Sequence, residues 1–219
     1  MPRVLFEKKG NAVWISHLDL MRLFQRAFQR AGIRLTHSQG YHPRPSVSIA
    51  LPLSVGMESE CELMDFEQEG ESLPCDEIRR RLNDTLVPGV TVREVYDGGR
   101  KIRELQLLRC AVMLEYDGGV PKGAIEALTA LYAKDSLIVQ KKSKGSVQEQ
   151  DIAPMLRSVE ISQCGDRELK LDALICCQNP ALNPAQLSAS IGAWLPEMKP
   201  DFSRCRRIEI FDGQGTVFR

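Results

Sequence analysis

Apolar positions in the first hundred residues change period several times, and each change marks an element. "PRVLFEKKG" reads as a strand ending at Gly10, and "NAVWI" as a short extended stretch. From Leu20 the apolar residues Leu20, Phe24, Ala27, Phe28 and Ala31 recur at helical spacing. Ser16 is a natural N-cap, Asp19 follows three residues on in a capping-box arrangement, and Gly32 is the stop. "VSIALPL" and the acidic "SECELMDFEQ" read as strands, the first ended by Pro52. "SLPCDEIRRRLNDTL" is a helix closed by Pro88 and Gly89, and "VTVREVYD" is a strand. The order is strand, helix, strand, strand, helix, strand.

"DGGRKIREL", residues 97 to 105, is polar and glycine-containing and marks a boundary. The same order then recurs. "LLRCAVMLEYD" is a strand, "PKGAIEALTALYA" a helix and "SLIVQKK" a strand. "RSVEISQ" and "ELKLDALICC" follow, then "NPAQLSASIGAWL", a helix with Asn183 as cap and Pro184 at its first position. "RCRRIEIF" is the last strand. The predicted class is α+β, an α/β sandwich of two tandem ferredoxin-like βαββαβ units with antiparallel sheets. The first unit is expected over residues 1 to 98. The second is expected over 105 to 219, with an insertion near 143 to 156 whose turn "SKGS" adds Lys144 to Lys141 and Lys142 as a basic hairpin tip.

Composition excludes several classes. The 219 residues are 43% hydrophobic and 26% charged, an ordinary globular balance, and the formal net charge is zero. No global field draws the chain to nucleic acid or membrane, so recognition by charge must be local. Such patches exist. Residues 1 to 45 carry Arg3, Lys8, Lys9, Arg22, Arg26, Arg30, Arg34 and Arg44 against Glu7 and Asp19, whereas residues 58 to 71 form an acidic strand pair. The seven cysteines show no Cys-x-x-Cys spacing and sit mostly in apolar runs, as buried thiols in a reducing cytosol do. The chain opens on a strand-like run rather than a signal-peptide core, and no apolar stretch approaches the ~20 residues of a membrane span. A soluble, cytoplasmic protein with no membrane partner is expected.

Candidate chemistry gathers between residues 16 and 46, which hold all three histidines. Arg22, Arg26 and Arg30 are four apart. Each step rotates about 40° on an α-helix, which gives a slanted stripe of planar guanidinium donors suited to phosphate. His17 falls at the first helical position and Asp19 beside it, an acid/base candidate with an orienting or capping carboxylate. In "HSQGYHPRPS", Gly40 is free to take positive φ and Pro43 and Pro45 stiffen the chain. Ser38, Tyr41, His42 and Arg44 offer donors and one aromatic face, a loop suited to phosphate with a stacked base. A proline-fixed turn is the structural alternative. The histidine spacing matches no metal pattern, so no metal ligands are assigned.

These residues resemble the opening of the radical-SAM-associated family, a bacterial domain of unknown function. The likeness rests on "SHLDL" at 16 to 20, "HPRPS" at 42 to 46, "LPL" at 51 to 53 and "G-x-x-S" at 56 to 59. His37 stands where that family has tyrosine, which leaves His17 and His42 as the histidines to carry over. The resemblance implies a radical SAM protein as partner, with the iron–sulfur cluster and S-adenosylmethionine on that partner. This chain has no Cys-x-x-x-Cys-x-x-Cys run and is expected to bind no cofactor of its own. It also hints at RNA as a shared substrate.

The first expectation is therefore a non-catalytic accessory protein of a radical SAM enzyme. It would bind RNA or present substrate through Arg22, Arg26, Arg30, Ser38, Gly40, Tyr41, His42 and Arg44. Two alternatives stand beside it. One is a metal-independent endoribonuclease using His17 or His42, with Asp19 in support. The other is an adaptor that docks proteins through the acidic residues 58 to 71.

Overall fold

Phe24 and Phe28 lie one helical turn apart and are both fully buried. Phe24 meets Phe6 edge-on at 4.7 Å between ring centroids, and Phe28 meets Phe66 at 4.8 Å. These contacts seat helix α1 (His17–Arg30) on strands β1 (Arg3–Lys8) and β3 (Glu58–Phe66). Burying each ring contributes about 1.5–3 kcal/mol. The computed structural model describes residues 1–143 and 146–219. The chain divides into two compact units, Met1–Ile102 with Arg219, and Arg103–Phe218.

The first unit adds β2 (Val47–Ile49), α2 (Cys75–Asn83) and β4 (Val90–Tyr96). Its sheet runs β4-β1-β3-β2 with every neighbour antiparallel, the ferredoxin-like arrangement. Ile78 and Leu82 of α2 join the aromatic layer under both helices. On β1 and β3 the directly opposed pair Arg3 and Asp65 forms a two-pronged ion pair, at 2.6 and 3.0 Å.

The second unit repeats the order with β5 (Leu105–Glu115), α3 (Ala124–Tyr132), β8 (Leu156–Gly165), β9 (Glu168–Cys176), α4 (Ala185–Trp194) and β10 (Phe202–Asp212). Its sheet runs β10-β5-β9-β8, again antiparallel throughout. Between α3 and β8 lies an added hairpin, β6 (Ile138–Ser143) and β7 (Ser146–Asp151), followed by a 3₁₀ turn at Ala153–Met155. The Trp194 indole N–H donates to the Ile138 carbonyl at 2.8 Å and anchors the hairpin's base to α4. The expected basic tip with Lys144 lies outside the described residues. All seven cysteines are free thiols. Burial pushes Cys110 and Cys177 up to about 12 and Cys205 up to about 11. No helix among the described residues is long and apolar enough to cross a membrane.

Two local expectations are corrected. "NAVWI" is not extended: Gly10–Trp14 forms a 3₁₀ turn in which Gly10 takes a φ of 56°. A short apolar run carries no period to tell the two apart. The acidic run at 58 to 71 is not a strand pair either. It is the single strand β3 followed by a turn, where Gly70 takes a φ of 83°.

Gly89 joins α2 to β4 with a φ of 89°, and its carbonyl accepts from the Lys9 N–H at 2.8 Å. A Cβ there would overlap the Lys9 carbonyl oxygen and come within 3.0 Å of the Ala12 Cβ. Strain and overlap together predict that Gly89→Ala destabilises the chain by about 2–4 kcal/mol. A lowered urea midpoint with unchanged slope would show it; an unchanged midpoint would refute it.

Candidate functional site

Helix α1 presents two faces. Leu20, Phe24, Ala27 and Phe28 are buried, and Arg22, Arg26 and Arg30 are exposed on the other side. Ser16 caps the helix: its Oγ accepts from the Asp19 N–H at 3.2 Å, and its hydroxyl donates to the Asp19 carboxylate at 2.7 Å. Asp19 also pairs with Arg22 at 3.0 Å. The Ser16 hydroxyl and then the Arg22 guanidinium hold the Asp19 carboxyl below its ordinary value. At the other end, Arg30 donates to the Thr85 carbonyl at 2.8 Å. Arg26, between them, has no ion-pair or hydrogen-bond partner among the described residues.

The segment expected as a phosphate-binding loop, or alternatively a proline-fixed turn, is a paired arm. It folds back on itself through Ser46 N–H to Thr36 O at 2.8 Å, an antiparallel bridge between His37 and Pro45, and Ser38 N–H to Arg44 O at 2.9 Å. The Ser38 hydroxyl also accepts from the Arg44 N–H at 3.0 Å. Gly40, at a φ of 140°, lies in the tip with Tyr41, His42 and Pro43. Tyr41 is 96% exposed, and its ring stands edge-on to His42 at 5.5 Å. One carboxylate fastens the base: Glu67, just past β3, accepts from the Thr36 hydroxyl at 3.0 Å and the Ser46 hydroxyl at 3.1 Å. Its backbone adds Thr36 N–H to Glu67 O and Glu67 N–H to Ser46 O.

Two grooves flank the exposed side of α1. The larger, about 800 Å³, is rimmed by Gln25, Arg26, Gln29, Arg34, His37 and Glu69. Gly32 and Pro45 line it over the buried Phe28, Ile33 and Leu35. The smaller, about 410 Å³, takes in Asp19, Arg22, Arg26 and Arg30 with Ile15 and Val87. Arg26 lines both. The structure thus gathers the arginine stripe along one groove and places Arg26 and His37 on the other. Ser38, Gly40, Tyr41, His42 and Arg44 line neither groove and form the arm instead. Sequence reasoning set His37 aside, counted Arg34 and Glu69 only among the basic and acidic runs, and overlooked Gln25 and Gln29. The two glutamines follow the four-residue step of the arginines, the one signal that could have found them.

His17 begins α1, and its Nδ1 is buried without a hydrogen-bond partner. The neighbouring Trp14 is 69% exposed, its ring beside Gly56. No hydrogen bond joins His17, His37 or His42 to a carboxylate among the described residues. Nor do three His, Cys, Asp or Glu side chains gather there as a metal-binding group. Three acidic residues of β3 have partners within the first unit. Glu58 accepts from the Gly10 N–H at 3.2 Å, Glu60 pairs with Lys9 at 3.4 Å, and Asp65 pairs with Arg3.

Glu67 is expected to hold the arm in register. Glu67→Ala should speed hydrogen exchange at the Ser38 and Ser46 amides by roughly three- to tenfold, the two hydroxyl bonds being partly screened by water. Exchange in β1 and β3 should not change. Equal exchange at the arm amides in variant and wild type would refute this role.

No curated protein matches the chain. Among solved structures, a chain of the "Crystal Structure of a Cbf5-Nop10-Gar1 Complex" aligns with a TM-score of 0.58 at 9% identity, over 98% of this chain and 50% of that one. This chain therefore spans half the length of that relative, and at such identity the likeness is one of α+β fold alone. An unknown protein from Galdieria sulphuraria aligns with a TM-score of 0.27 at 13% identity, over 94% of this chain and 96% of that one. The family model described as "Uncharacterized protein conserved in bacteria (DUF2344)" matches residues 2–184, from β1 to the start of α4. The chain belongs to that bacterial family of uncharacterized proteins.

Proposed function

We propose that this chain is a non-catalytic accessory protein that binds RNA through helix α1 and the arm at residues 36 to 46. The observation that carries the reading is a contrast between two helices. On α2, Arg79 pairs with Asp76, Arg80 with Glu77 and Asp84, and Arg81 with Glu77. Those arginines neutralise their own helix, and Arg80 with Arg81 holds Glu77 at about 2. On α1 and the segment after it, Arg26, Arg34 and Arg44 make no ion pair among the described residues. Unpaired, exposed guanidinium groups, two of them beside a groove and one on the arm, are what a phosphate backbone needs. The bare Tyr41 ring at the tip of a fastened arm offers a stacking face for a base.

The opening motifs resemble the radical-SAM-associated family, which supplies the rest of the reading. The RNA would be presented to a radical SAM protein, and the iron–sulfur cluster and S-adenosylmethionine would belong to that partner. The nuclease reading is weaker, because among the described residues no carboxylate is hydrogen-bonded to His17 or His42. The adaptor reading is weaker too, because Glu58, Glu60 and Asp65 already have partners within the unit.

Wild type is expected to bind mixed single-stranded RNA at low salt, with affinity falling as salt rises. An Arg22→Ala/Arg26→Ala/Arg44→Ala variant should bind roughly ten- to a hundredfold more weakly, with a salt slope shallower by about one to three. Absence of binding at low salt, or an unaffected variant, would sink the RNA reading. The partner half is tested by affinity purification of the tagged chain from its host after nuclease treatment. A co-purifying radical SAM protein is expected, and its absence counts against the partnership.

A further inference from the structure

The larger groove differs chemically from the arginine stripe. Its floor is apolar, the half-buried Pro45 and the exposed Gly32 over the buried Phe28, Ile33 and Leu35, and its rim carries two carboxamides, two guanidinium groups, an imidazole and a carboxylate. None of the six rim side chains, Gln25, Arg26, Gln29, Arg34, His37 and Glu69, makes a hydrogen bond or ion pair among the described residues. A pure phosphate track needs neither an apolar floor nor carboxamides. A nucleobase needs both: a flat surface for its face, and donors and acceptors together for its edge. Gln25 and Gln29 supply both kinds of group, and Glu69 adds an acceptor for ring or exocyclic N–H. Arg26 and Arg34 on the same rim suit the attached phosphate with their planar forks. The volume, about 800 Å³, falls within the span of small-ligand sites, roughly 300–1,000 Å³.

We infer that this groove holds one unpaired nucleotide. Its base lies against Pro45 and Gly32 above the buried Phe28, Ile33 and Leu35, its edge faces Gln25, Gln29 and Glu69, and its phosphate lies on Arg26 and Arg34. The inference deepens the proposed RNA binding and rests on it for the identity of the longer strand. A duplex buries its base edges in pairs and stacks their faces, so it offers this groove nothing but phosphate. Single strands are therefore preferred. Arg26 also borders the smaller groove. A strand leaving the nucleotide site passes it and meets Arg22 and Arg30.

The test uses the full chain, an RNA octamer in single-stranded and duplex form, and the nucleoside monophosphates AMP, GMP, CMP and UMP. Gln25→Ala/Gln29→Ala removes edge contacts and leaves every charge in place. It should weaken single-strand binding roughly tenfold with an unchanged salt slope, and leave duplex binding as it was. Arg34→Ala should weaken binding and lower the slope by about one. The monophosphates should shift the Gln25 and Gln29 side-chain amide resonances of the wild type. If the glutamine variant binds the single strand as wild type does while the arginine variant above loses it, RNA binding stands and the nucleotide site falls. If wild type binds no RNA yet a monophosphate moves those amides, the RNA reading falls and the site stands. If neither RNA nor monophosphate binds, both fall.

Discussion

Seating α1 on β1 and β3 through Phe24 and Phe28 is the contact on which the rest of the first unit depends. Two rings one turn apart, meeting Phe6 and Phe66, fix the helix in rotation as well as position. The rotation decides which residues face water. With Leu20, Phe24, Ala27 and Phe28 turned inward, Arg22, Arg26, Arg30 and Gln29 must turn outward. Both grooves follow from that geometry, because each is bounded on one side by the exposed flank of α1. Turning the helix so that Arg26 took the place of Ala27 would bury a guanidinium against aromatic carbon, at a cost in desolvation that no ion pair among the described residues offsets.

The arm depends on a second, smaller constraint. A segment with two prolines and one glycine among eleven residues has few backbone donors to spare, and its internal ladder is short. Glu67 compensates by joining the arm's two legs to the end of β3 with one carboxylate. The arm's rigidity is therefore set where it leaves the sheet rather than at its tip. Tyr41 and His42 stay exposed because no described residue folds back over them.

Charge is arranged differently on the two helices of the first unit, although both are rich in arginine. Those on α2 lie three or four residues from acids and are satisfied locally. On α1 only Arg22 has such a neighbour, Asp19. Arg30 is drawn to the Thr85 carbonyl and so fastens the end of α1 to the end of α2. The stripe that looks uniform in the sequence thus contains a capping pair, a cation with no partner among the described residues and a structural tie.

Much of the fold was legible in the sequence, because period and capping are local. The helical recurrence from Leu20 to Ala31, the Ser16 cap and the glycine stop at Gly32 mark α1, and the doubled strand–helix order marks two ferredoxin-like units. The 3₁₀ turn at Gly10–Trp14 escaped, since five residues hold too little of any period. The candidate site was legible only in part. Its arginines and the arm's composition stood out, whereas the pairing of Thr36 with Ser46 and their tie to Glu67 did not, because those partners are 21 or more residues from Glu67 and show no pattern. The groove draws Gln25 and Gln29 from a helix, Arg34 and His37 from the segment after it, and Glu69 from beyond β3. The sequence by itself determined the elements and the excess of basic residues on the N-terminal side. Only the tertiary structure decided which of those side chains share a cavity, since that depends on how α1 is rotated on the sheet and where the arm is fastened.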